Sequence, residues 1–138
     1  MSLTKWVPAW IHGVGDYGAG LALVIVTLAV GGTRRAVATG LVVGIALLAV
    51  SLVTRYPLGA VKAIPFRVHS AGDYLGSLLL IVAPFVLGFH SRDEGLTAFF
   101  IAVGVVVILL SLVTDYDDPA LTVREDMGSP RRLQGTRR

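Results

Sequence analysis

Cysteine does not occur among the 138 residues, which removes disulfides, thiolate metal sites and cysteine nucleophiles at once. Charge is scarce as well: Asp, Glu, Lys and Arg make up 15% of the chain and gather in short stretches between long apolar ones. A soluble domain of this length spreads more charge over its surface, so the pattern is that of a polytopic membrane protein. No Gly-x-Gly-x-x-Gly follows a strand-like run, no Gly-x4-Gly-Lys occurs and no serine elbow is present. Dinucleotide, nucleotide-phosphate and acyl-transfer chemistry therefore find no support. No catalytic residue emerges, and the reading leans away from an enzyme.

The net charge of +3 does not point to nucleic acid, because five of the twelve basic residues (Arg124, Arg131, Arg132, Arg137 and Arg138) stand in the last fifteen positions. A basic tail beside anionic lipid headgroups accounts for them more simply. That tail, 117–138, is polar and poor in apolar residues, and disorder is expected there.

Four apolar runs, 11–30, 36–54, 69–89 and 96–114, are each about long enough to cross a hydrocarbon core of roughly 30 Å as a helix. The segments "GGTRR" and "HSRDEG" between the members of each pair suit tight helical hairpins. The expected fold is all-α: a four-span transmembrane helical bundle of two tandem hairpins. Its segments are 1–10, a first repeat over 11–56, a linker over 57–68, a second repeat over 69–116 and the tail.

The duplication is legible by eye. A shift of 57 aligns His12 with His69, Gly15 with Gly72, Asp16 with Asp73, Tyr17 with Tyr74 and Gly31 with Gly88. A shift of 60 aligns Gly44 with Gly104 and "SLVTRY" (51–56) with "SLVTDY" (111–116). Reading the first run as a cleaved signal peptide would discard half of a duplicated unit. Two spans per copy place both copies in the membrane in the same sense, related by a pseudo-two-fold along its normal. Lys5, Arg55, Lys62, Arg67 and the tail arginines lie on the side of the termini, against Arg34, Arg35 and Arg92 opposite. The positive-inside rule then gives a multi-pass protein of the cell membrane with both termini cytoplasmic.

This topology brings every repeated polar residue to one membrane level: His12, Asp16, Tyr17, His69, Asp73, Tyr74, Thr54, Tyr56, Thr114 and Tyr116. Residues four apart share a helical face, so His12 pairs with Asp16 and His69 with Asp73. Facing each other, the two pairs suit a divalent metal. The histidines alone suit the axial positions of a haem b, and intramembrane Asp and His also build proton paths. A plain structural role serves equally: an Asp in the first turn of a helix favours its dipole, and the tyrosines, with Trp6 and Trp10, belong at an interface.

The second copy carries one further signature. "GDYLGSLLLIVAPFVLGF" (72–89), with Ala83-Pro84-Phe85 ahead of Gly88-Phe89, resembles the SPW-repeat family of small membrane proteins, whose two-helix unit carries Ser-Pro-Trp near the end of its first helix. The first copy has Val26-Thr27-Leu28 at that place and keeps Gly31. The resemblance implies a four-span bacterial membrane protein and brings no catalytic residues with it. Three functions follow, in order of preference. The first is a non-enzymatic structural or accessory subunit, as a homo-oligomer or in a larger membrane complex. The second is a metal or haem protein ligated by the two His-x3-Asp-Tyr motifs. The third is a proton or small-ion transporter working as an oligomer.

Overall fold

The computed structural model describes residues 6–116; Lys5 and the basic tail, with the headgroup contact and disorder expected of it, lie outside the described residues. Four helices follow in order, α1 (Ala9–Val30), α2 (Arg34–Val53), α3 (Phe66–Val86) and α4 (Glu94–Val113). All four are long and apolar enough to cross a membrane. Helices α1 and α2 form one hairpin and α3 and α4 the other, while α1 also packs on α4 and α2 on α3. The order round the bundle is therefore α1–α2–α3–α4, with α1 and α3 on one diagonal. No strand forms among the described residues, and the architecture is the four-helix bundle that the hydropathy pattern implies.

The helices begin earlier than the apolar runs suggest. Pro8 and Pro65, again 57 apart, are the N-caps of α1 and α3. Proline suits a helix start because its missing N–H falls where no intrahelical partner exists. The two entry segments are also held alike. Val7 N donates to Val113 O at 3.0 Å and Asp115 N to Val7 O at 3.0 Å. In the other copy, Ile64 N donates to Val53 O at 2.9 Å and Arg55 N to Ile64 O at 2.8 Å. Each entry segment is thus tied to the end of the neighbouring hairpin's return helix.

The conserved-in-repeat glycines at the far end have a backbone reason. Gly31 and Gly88 take φ of +70° and +69° just past α1 and α3, a region that side chains with a Cβ resist. Gly88 ends α3 at Val86, short of the apolar run, and leaves Pro84 in the last turn rather than at a mid-helix kink. Pro84 O still accepts from Phe89 N and His90 N.

The half of the bundle toward the hairpin tips is an apolar core of Leu23, Ala36, Val43, Leu80, Phe89, Leu96 and Phe100. The hairpin tips beyond it are clipped together. Asp93 accepts from the Thr33 hydroxyl at 2.6 Å and the Thr33 amide at 3.1 Å, so its carboxylate serves the other hairpin instead of capping α4. Arg35 adds a 2.7 Å bond to the Leu87 carbonyl at the end of α3.

Candidate functional site

Asp16 and Asp73 each lie seven residues in from the start of their helices, about 10 Å along the axis. They are therefore not in the first turn, and the dipole explanation offered by the sequence does not apply, since that effect fades within one turn. Both are buried, at 0% and 3% exposure, as are His12 at 0% and His69 at 1%. The diagonal α1/α3 arrangement points all four side chains at the bundle axis.

They close into a ring. His12 Nε2 lies 3.1 Å from Asp73 Oδ2, and His69 Nε2 lies 3.0 Å from Asp16 Oδ2. Within each copy, His12 Nε2 is 3.4 Å from Asp16 Oδ1 and His69 Nε2 is 3.1 Å from Asp73 Oδ1. Each histidine thus hydrogen-bonds the aspartate of the other copy and also approaches its own. One ligand atom from each of the four residues lies within 4.8 Å of every other.

The threonines fix which nitrogen carries the proton. Thr54 Oγ1 donates to Val50 O at 2.6 Å and Thr114 Oγ1 to Leu110 O at 2.7 Å, in each case the carbonyl four residues back. A hydroxyl has one proton. Each threonine must therefore accept from the histidine it touches: His69 Nδ1 donates to Thr54 Oγ1 at 2.9 Å, and His12 Nδ1 to Thr114 Oγ1 at 2.9 Å. Each Nε2 is left facing carboxylate oxygens, and it hydrogen-bonds one only through a further proton, carried by the ring or by the carboxyl group. The ring is symmetric to that extent and then departs from symmetry. Ser111 Oγ donates to Asp73 Oδ2 at 3.2 Å, whereas Asp16 Oδ1 accepts no hydrogen bond among the described residues.

Aromatic side chains seal the ring from the linker face. Phe66 packs with His12 at 5.3 Å and His69 at 6.1 Å, and also with Tyr56 at 5.6 Å and Tyr116 at 4.6 Å between ring centroids. Tyr56 and Tyr116 are buried, so they are part of a plug and not of an interfacial belt. Burial pushes both phenols up, Tyr116 to about 12. Trp6 and Trp10 point outward. Tyr17 turns to the Leu58 carbonyl at 3.2 Å, and Tyr74, next to Asp73 on a helix, is only half-buried.

Phe66 was not legible as part of the site, because its repeat equivalent is Ala9. The signal available was the buried pair itself. One large ring fills the pseudo-axis, and the small partner makes room for it in the same cluster.

Comparison with known families decides what kind of chain carries this ring. The model of the SPW repeat domain matches residues 9–114. The chain belongs to the SPW repeat family. The match covers all four helices, so the first hairpin is included although it lacks the proline that the second keeps. With four membrane-length helices, this SPW repeat protein is a small multi-pass membrane protein in contact with the lipid bilayer. No curated protein and no solved structure matches it.

A haem between His12 and His69 does not fit the geometry. Both Nε2 atoms face carboxylate oxygens at 3.0–3.4 Å, where the macrocycle would have to lie. The donor set of two imidazoles and two carboxylates suits a single ion instead.

Proposed function

We propose that this is a non-enzymatic membrane scaffold or accessory subunit whose two hairpins are locked in register by the buried His–Asp ring. The observation that carries it is reciprocity: His12 bonds Asp73 and His69 bonds Asp16, so the hydrogen bonds cross between the copies. In a bilayer the hydrophobic effect does not drive helices together, and polar contacts and close packing must do so. A ring of four polar groups at the axis supplies that specificity, because a docking that loses the cross-copy contacts leaves each buried carboxylate only the histidine of its own helix. The excess of cations on the side of the termini supports a cytoplasmic location for both ends, and the tail arginines suit anionic headgroups there.

A through-path for protons or small ions is less well supported. Beyond the ring such a path would cross Leu23, Leu80, Leu96 and Phe100, which pack as a buried apolar cluster.

The test is to place a protease site in the linker after Val61, cut the full-length protein in detergent and tag one half. The halves of the unaltered sequence are expected to stay together through purification. The Asp16→Ala/Asp73→Ala protein should separate on cutting. Halves that remain associated without both carboxylates would remove the ring from its locking role.

A further inference from the structure

The ring that locks the hairpins has a second property, which rests on the same cross-copy junction. We propose that His12, Asp16, His69 and Asp73 bind one divalent transition-metal ion of the zinc class, through Nε2 of each histidine and one oxygen of each aspartate.

Geometry is the first support. For metal–ligand bonds of about 2.0–2.2 Å, the corners of a tetrahedron stand roughly 3.3–3.6 Å apart. The four Nε2–carboxylate contacts here, which use both oxygens of each aspartate, are 3.0, 3.1, 3.1 and 3.4 Å, and with one atom taken from each residue all four lie within 4.8 Å of one another. An ion at the centre needs the ring to contract, its widest ligand separation closing by about 1 Å. The ring is held from outside by the threonines, which keep Nδ1 protonated, so that an ion takes the place of the protons between Nε2 and the carboxylates. Metal-bound histidines are oriented by the same kind of outer hydrogen bond.

Charge is the second. Two carboxylates buried at bundle depth carry two negative charges, and an uncompensated buried charge is expensive. One dication cancels them without remainder. Asp16 Oδ1 is buried and accepts no hydrogen bond among the described residues, so its lone pairs are available to an ion.

Chemistry selects the ion. Magnesium and calcium prefer six or more oxygens, many of them from water. Two imidazole nitrogens in a buried four-ligand site favour zinc, cobalt or iron(II). Four protein ligands with no open position, beneath the Phe66 plug, describe a closed structural site and not a catalytic one.

The experiment uses full-length protein in detergent, stripped with chelator and titrated with Co2+. We expect one Co2+ per chain with the visible absorption of a tetrahedral site, displaced by Zn2+ and unaffected by excess Mg2+. X-ray absorption of the Zn2+ form should show two imidazole and two oxygen ligands. Thr54→Val, which removes only an outer hydrogen bond, should weaken binding about 10–100-fold. His90→Ala, on the far hairpin tip, should leave it unchanged. Folded wild-type protein that takes up no stoichiometric Co2+, or that gives a six-coordinate spectrum, would overturn the proposal. So would stoichiometric binding retained by a folded His12→Ala/His69→Ala protein. The two readings of the ring separate cleanly. If Co2+ is not bound and the cut halves still depend on Asp16 and Asp73, the metal fails and the lock stands. If Co2+ binds and the halves hold without those carboxylates, the lock fails on its own.

Discussion

Gly15 in α1 and Gly72 in α3 are repeat equivalents, yet they meet different surroundings. A Cβ on Gly15 would run into Leu110 of α4, whereas a Cβ on Gly72 would meet nothing within 4 Å. Leu110 has Val50 as its equivalent in α2, and Val50 lines, with Gly72 and Gly76, an apolar groove of about 280 Å³ between α2 and α3. One seam between the hairpins is filled by side chains and the other is open toward lipid. The polar ring shows no such drift, since both copies keep His, Asp and Thr. The difference is one of replaceable partners. Acyl chains fill a gap on an outer seam as well as Leu does, but nothing in a bilayer replaces a lost carboxylate at the axis.

The largest effect should come from the part the copies share. Asp73→Ala strips His12, His69 and Ser111 of an acceptor, and such a loss from a buried charged network costs about 3–5 kcal/mol. Asp16→Ala should cost less, because among the described residues no serine bonds that carboxylate. Unfolding in detergent followed by circular dichroism measures both, and equal or negligible losses would erase the distinction between the two aspartates.

Next come the equivalent glycines Gly44 and Gly104, where both copies are equally tight. A Cβ on Gly104 would stand 2.8 Å from the Ser77 carbonyl oxygen, and one on Gly44 2.9 Å from Leu23 Cβ. Alanine at either should cost about 1–3 kcal/mol, as overpacking against backbone or a rigid stem does. A tolerated substitution at one position only would show that the hairpins pack less alike than their backbones suggest.

The smallest effects belong to the open seam. Gly72→Ala meets no neighbour and should stabilise α3 by up to about 1 kcal/mol, the ordinary helix-propensity difference. Val50→Leu, which copies the residue of the other seam, should change stability by less than about 0.5 kcal/mol. A large loss from either, in the same unfolding assay, would mean that the groove is occupied in the membrane-extracted protein.

The polar site was legible because duplication marks it. His12, Asp16, Thr54 and their equivalents stand out in apolar segments, and their spacing fixes their faces. Three features were not legible. The helix starts were hidden because Pro8 and Pro65 sit ahead of the apolar runs. The burial of Tyr56 and Tyr116 was hidden because an interfacial tyrosine and a plugging one look alike in sequence. Phe66 was hidden because its equivalent is Ala9, so the repeat carries no trace of it.

Sequence by itself determined four spans, two copies and one polar level, since hydropathy and repetition are properties of the chain alone. Only the tertiary structure decided who pairs with whom. Local spacing offered His12 to Asp16 and His69 to Asp73, four residues apart on one helix. Packing α1 diagonally across from α3 brings the other copy's carboxylate closer to hydrogen-bond geometry, and the threonines of α2 and α4 then set the tautomer of both rings. Those contacts span 102 residues for His12 and Thr114 and 53 for His69 and Asp16, distances that no local periodicity encodes and that close only when the bundle does.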